Sequence, residues 1–133
     1  MEKVLIEILS SHDIVSARQN SREMARQLGF GSADQTRLAT AVSELVRNVL
    51  QYAGAGECLV SDQSDEHMAV IHIQVEDHGP GIANINKAMQ SGFTTGGGLG
   101  AGLPGAKRLA HNFDISSEPG LTTVSLVMSR KKV

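Results

Sequence analysis

Aromatic side chains are scarce in this 133-residue chain, with three Phe, one Tyr and no Trp. The core must therefore come from Leu, Ile, Val, Met and Ala, and little is on offer for stacking against bases. Excess positive charge is missing too. Twelve Lys and Arg stand against 14 Asp and Glu, a net charge of −2, and the one basic run, Arg130 to Lys132, is a short tail. Neutralising a phosphate backbone needs a clustered positive surface, so a nucleic-acid partner is excluded. A single cysteine, Cys58, cannot close an internal disulfide. No apolar run approaches the roughly 20 residues that span a bilayer, and no charged-then-apolar signal peptide opens the chain. These absences predict a cytoplasmic protein with no membrane partner.

Hydrophobic residues at 41% and charged residues at 20% are ordinary globular proportions, and the length suits one domain over residues 1–133. Lys3 to Leu9 reads as a strand that the Ser10-Ser11-His12-Asp13 cluster ends. Apolar positions from Ile14 to Leu28 recur at helical spacing, and Gly29 supplies the stop. Ser32 with Gln35 has the form of a capping box, opening a helix to about Ala53 along the stripe Leu38, Val42, Leu45 and Val49. Glu57 to Asp62 and Met68 to Asp77 read as antiparallel strands around the polar loop of residues 63–67. Residues 79 to 105 then hold nine of the 14 glycines and two of the three prolines, with a short helical stretch near Asn84 to Ser91. A connection that long in a compact domain is a functional loop. Pro104 suits the first turn of a helix reaching about Asn112, and strands at Phe113 to Ser117 and Thr122 to Met128 close the domain.

Three groups of residues can carry chemistry. Glu44 and Asn48 stand four apart on the second helix, on one side of it. A carboxylate and a carboxamide so placed fit a general base and a hard-metal ligand such as Mg²⁺ takes, or simply a solvated helix face. Asp77 ends an apolar strand ahead of Gly79 and Gly81, an arrangement that can accept a hydrogen bond from an exocyclic amine such as that of adenine, or initiate an ordinary turn. The run Gly96 to Leu103 is dense enough in glycine for its N–H groups to cradle phosphates ahead of a helix, or to serve as a flexible linker, against which the interleaved Leu99 and Leu103 and the helix beyond argue. Gly100, Gly102 and Gly105 satisfy a dinucleotide G-x-G-x-x-G in letters only, since no apolar strand precedes them. Gly105 is followed by Ala106 and Lys107, so no Walker A loop is present.

In order and spacing, Ser43 to Asn48, Asp77 to Gly81 and Gly98 to Leu103 resemble the N, G1 and G2 boxes of the GHKL ATPases and kinases. Within that group nearly the whole chain resembles the RsbT-type serine/threonine switch kinases of the bacterial stressosome. The resemblance implies the Bergerat fold, an α/β two-layer sandwich with a mixed β-sheet covered on one face by helices, using ATP and Mg²⁺. It makes Glu44 the catalytic base and Asn48 the metal ligand. Asp77 takes the adenine amino group, and Gly79 and Gly81 shape its pocket. Gly98, Gly100 and Gly102 give backbone contacts to the phosphates, with Leu99, Ala101 and Leu103 among the nucleotide-binding residues of the same box, Thr94 and Thr95 lie in the lid, and Thr123 supports the adenine site. It further implies a STAS-domain scaffold or antagonist as phosphorylation substrate and a PP2C-type phosphatase as second partner. Two other readings stand beside the kinase: an anti-sigma factor or binding module in which nucleotide only orders the lid, and a histidine-kinase catalytic fragment. The last lacks a dimerisation helix, a phosphorylatable His in a helical hairpin and any sensor segment, and Glu44 favours catalysis over mere binding.

Overall fold

The computed structural model describes residues 2–89 and 102–132. Strand β1 (Lys3–Ile8) leads into helices α1 (His12–Gln27) and α2 (Ser32–Tyr52). Strands β2 (Gly56–Asp62) and β3 (Met68–Asp77) follow, then the short helix α3 (Ile85–Ala88), helix α4 (Gly102–Leu109) and strands β4 (Asn112–Glu118) and β5 (Leu121–Lys131). The five strands form one sheet in the order β1-β2-β3-β5-β4.

Every neighbouring pair is antiparallel, which corrects the expected mixed sheet. Between β1 and β2 the chain passes through a helical hairpin, α1 and α2, and returns to the end of the sheet it left. Strands β3 and β4 do run the same way, but β5 pairs with both and lies between them.

Alternation along the strands sends one set of side chains under the helices. Ala69, Ile71, Ile73, Val75 and Asp77 of β3 and Thr122, Val124, Leu126 and Met128 of β5 are buried, and the residues between them are partly exposed. From α2, Leu38, Ala41, Val42, Leu45, Val46 and Val49 meet them in one core with α1 and α4. Burying a leucine such as Leu45, 1% exposed, stabilises the fold by about 1.5–3 kcal/mol. At the end where α2 runs over the sheet the fit is close, because a Cβ on Gly56 would fall 2.5 Å from the Glu76 carbonyl and 2.8 Å from Val49.

Helix α1 ends as the sequence predicts. Gly29 takes φ +82°, its N–H reaches the Arg26 carbonyl, and the Phe30 N–H reaches that of Ala25, with Phe30 buried beyond. This is the Schellman arrangement, which only a residue tolerant of positive φ closes without strain. Helix α2 begins differently from the expected capping box. Gly31 is its N-cap with no side-chain cap bond, and the Gln35 amide instead donates to the Phe30 carbonyl at 2.8 Å. Gly31 starts the helix one residue early, so Ser32 already lies inside the first turn. At the start of α1 the Asp13 carboxylate accepts from the N–H groups of Leu9 (2.8 Å) and Ser10 (2.9 Å), tying the helix back to β1.

Candidate functional site

Four chain segments meet where β3 ends. Asp77, the last residue of β3, is 6% exposed, and its Oδ1 accepts from the Gly79 N–H at 3.0 Å. No larger residue fits at Gly79, since a Cβ there would lie 2.6 Å from that of Ala53 and 3.2 Å from Asp77 Oδ1. Gly81 has φ +84°, and a Cβ on it would come 2.7 Å from the Glu118 carbonyl. Both glycines are thus dictated by backbone packing.

The turn between β4 and β5 holds this loop from the other side. Gly120 N–H donates to the Gly79 carbonyl at 2.9 Å, His78 Nδ1 lies 3.1 Å from the Gly120 carbonyl, and Ile82 N–H donates to Ser117 Oγ at 2.7 Å. The Ser117 hydroxyl in turn pairs with Thr122 Oγ1 at 2.6 Å. Thr122 stands opposite Asp77 in the strand register and is 3% exposed. Sequence reasoning missed both hydroxyls.

Thr123 is a correction. It stands opposite Glu76, on the sheet face turned away from the helices, so it does not share a side of the sheet with Asp77. The threonine on Asp77's side of the sheet is Thr122, and the strand period of two locates it: Val124, Leu126 and Met128 point to the core, and so must residue 122.

Beside this loop lies a cavity of about 400 Å³, walled by Asn48 and Tyr52 of α2, the loop from Pro80 to Asn84, Lys87 and Ala88 of α3, and Leu103 of α4. That volume is within the range of small-molecule and cofactor pockets. Asn48 therefore faces the cavity, as do Gly81 and Leu103, whereas Asp77 and Glu44 are not part of this wall. Glu44 lies one turn before Asn48, 3% exposed. Its Oε1 accepts from Arg47 Nη1 at 2.8 Å and its Oε2 from the Gly102 N–H at 2.7 Å. Gly102 opens α4 with φ +68°, and Pro104 falls in the first turn, where no intrahelical N–H is needed. Thr94, Thr95, Gly98, Leu99, Gly100 and Ala101 lie outside the described residues. Burial pushes the Cys58 thiol up to about 12, which makes it a core side chain and not a nucleophile.

The residues fit a purine nucleotide. A buried acceptor, two glycines with no room for a side chain, a cavity of suitable volume and a carboxamide oxygen donor lie together at one end of the sheet. Residues 33–132 match the family of histidine kinase-, DNA gyrase B- and HSP90-like ATPases. The chain is 49% identical over 115 residues to the serine/threonine-protein kinase RsbT of Bacillus subtilis, covering 86% of each. It belongs to this ATPase family, among the RsbT-type serine/threonine protein kinases. Solved structures agree on the fold. The RsbU and RsbW domains of a Mycobacterium tuberculosis protein superpose with a TM-score of 0.67 at 20% identity, over 98% of this chain. The kinase spans only 33% of the length of that chain. The SiaB-SiaC complex of Pseudomonas aeruginosa gives 0.58 at 12% identity, covering 96% of this chain and 89% of that one. The histidine kinase AdeS of Acinetobacter baumannii gives 0.53 at 15%, covering 97% and 68%. Among the described residues no helix is long and apolar enough to cross a membrane.

Proposed function

We propose that this cytoplasmic kinase transfers the γ-phosphoryl group of Mg·ATP to a serine or threonine of a STAS-domain partner, then exchanges that partner for a PP2C-type phosphatase, which it activates. One observation carries the reading: Asn48 faces the cavity one turn beyond the buried Glu44, so a metal ligand and a base are offered from a single helix. When bound, Mg·ATP supplies the phosphoryl group and the counter-charge for its oxygens.

The chain's own residues do the rest. Asp77 accepts from the adenine amino group through the carboxylate whose Oδ1 the Gly79 N–H already orients. Thr122, in place of Thr123, supports that carboxylate from across the strand pair, with Ser117 fixing the hydroxyl. Asn48 offers its amide oxygen to Mg²⁺, which takes few protein ligands and prefers oxygen. Glu44 receives the proton of the attacking hydroxyl. Positioning and charge dominate phosphoryl transfer, so a single well-placed carboxylate suffices as base. Phosphorylation adds about −1.5 to −2 charges to the partner's surface, and this disfavours the contact with a kinase that is itself net acidic.

The test is labelling from γ-³²P-ATP of a purified STAS-domain protein, with affinity for its unphosphorylated and phosphorylated forms measured alongside. The reading expects label on Ser or Thr, loss of labelling in Asp77→Asn and Asn48→Ala, and weaker binding of the phosphorylated form. Tight binding of ATP and partner with no label transferred returns the site to a nucleotide-regulated binding module.

A further inference from the structure

Strand β1 stands at one end of the sheet and pairs with β2 on one side only. Along an antiparallel pair the residues alternate, one directing its N–H and C=O at the neighbouring strand and the next directing them away. The Asp62 N–H donates to the Glu2 carbonyl at 2.9 Å, and Lys3 stands opposite Ser61 in the register. Glu2, Val4, Ile6 and Ile8 therefore face β2, and the main-chain groups of Lys3, Leu5 and Glu7 point out from the edge. Among the described residues no hydrogen bond reaches them. The Leu9 N–H is taken by the Asp13 carboxylate at 2.8 Å, so the open edge ends at Glu7.

The same three residues carry their side chains on the sheet face away from the helices, with Leu5 59% exposed and Lys3 and Glu7 exposed on either side of it. Glu7 stands beside Glu57, and Glu57 beside Glu76, so three carboxylates form a row across β1, β2 and β3. Like charges directly opposite one another are unfavourable. His78 Nε2 lies 3.7 Å from Glu76 Oε1 at the inner end of the row. Among the described residues Lys3, Glu7 and Glu57 have no ion pair.

We propose that the free edge of β1 pairs antiparallel with β1 of a second copy of this chain, about a two-fold axis at Leu5, joining the two sheets into one. Backbone and side chains select the same register. Centring on Leu5 sets Leu5 against Leu5 and, at both ends, Lys3 of one copy against Glu7 of the other, all through residues whose main-chain groups are free. Centring on Lys3 or on Glu7 sets like charges together, and centring on Val4 or Ile6 leaves a charge opposite a leucine. In the Leu5 register Lys3 of the second copy continues the glutamate row with a cation, and Val4 meets Ile6 on the helix side. The contact is isologous, as in most homodimers. One strand edge is small beside the roughly 800 Å² per partner of a standard interface, so the dimer is a weak one that dissociates in the micromolar range or above. The proposal does not depend on the nucleotide reading.

Sedimentation equilibrium of the full chain, from micromolar into millimolar concentrations, should show a reversible monomer–dimer equilibrium. Lys3→Glu and Glu7→Lys each place like charges together at both ends of the pairing, and each should raise the dissociation constant by about ten- to a hundred-fold. The double variant Lys3→Glu/Glu7→Lys restores opposite charges and should return close to the native value, and an equimolar mixture of the two single variants should form a heterodimer. Within one copy these changes meet only Ser61 and Glu57 across the strand pair, so the monomer fold is spared. Amide exchange in the native protein needs no variant: Leu5 and Glu7 should gain protection as concentration rises, while Val4 and Ile6 are protected throughout. A native chain that stays monomeric overturns the proposal and leaves Lys3 and Glu7 as charges that guard the edge. Single variants that dimerise as well as native, a double variant no better than the singles, or Leu5 and Glu7 amides that exchange freely in the dimer overturn it as well.

Discussion

Gly79→Ala is the sharpest structural perturbation available at the site. The backbone at Gly79 is not in the left-handed region, unlike that at Gly81 (+84°), so the cost of an alanine there is argued from its steric contacts. The new methyl would lie 2.6 Å from the Ala53 Cβ, 3.0 Å from the Ala53 Cα and 3.2 Å from Asp77 Oδ1. The two nearest, both of Ala53, do not belong to the end of a flexible side chain, so the loop and the C-terminus of α2 must part. Overpacking of this kind costs about 1–3 kcal/mol. For a domain of this size, 2 kcal/mol corresponds to a fall in Tm of roughly 6–10 °C. The movement also displaces the N–H that orients Asp77, so nucleotide affinity should fall by at least about ten-fold, the equivalent of 1.4 kcal/mol. Thermal unfolding and ATP calorimetry on Gly79→Ala, Ala53→Gly and the pair measure both effects. Removing the Ala53 methyl should restore at least half of the lost stability, because that Cβ is the nearest obstacle. Native stability and affinity in Gly79→Ala, or a double variant no better than the single, would refute the packing argument.

Three further outcomes follow from named contacts. Thr122→Val, which strips a buried hydroxyl from Ser117, should cost about 1–2 kcal/mol in denaturant unfolding and weaken ATP binding. Thr123→Val, on the other face, should change neither, and equal effects of the two would contradict the strand parity. The N–H groups of Leu9 and then Ser10 hold the Asp13 carboxyl below its usual value of 3.8. A carboxyl lowered in the folded state stabilises above the unfolded pKa and loses that contribution as pH falls through the folded one, so Asp13→Asn should lessen the loss of stability below about pH 4. An unchanged acid limb in that variant would show the contact to be idle. Cys58 is fully buried with its thiol pushed up to about 12, so thiol reagents should label it only as fast as the protein opens, and rapid labelling under native conditions would mean that the core is not closed.

The local features of the fold were legible where a period ran long enough. The apolar stripe of α2, the alternation of β3 and the Gly29 stop each appear in the structure within a residue or two. The features that misled were those in which two local signals compete or in which a distant partner decides. Ser32 and Gln35 have the letters of a capping box, yet Gly31 adopts the N-cap backbone and leaves Ser32 inside the helix. Leu121-Thr122-Thr123 offers two threonines, and choosing between them needed the alternation through Met128. The antiparallel sheet turns on β5 inserting between β3 and β4, which no neighbouring sequence announces. Nor does any local pattern join Glu44 to Gly102, 58 residues away. Three ordered boxes made the ATPase family legible, but not the hydrogen bond between Glu44 and Gly102.

The central claim is that Glu44 is a base and not only a structural anion. Single-turnover transfer from Mg·ATP to a STAS-domain protein, measured for the native chain and Glu44→Gln with ATP affinity determined on the same samples, tests it most directly. The account predicts that Glu44→Gln binds ATP at least as tightly as native while the transfer rate falls by about 10²–10⁴, the range of general base catalysis. A Glu44→Gln variant that transfers phosphate at the native rate would contradict it.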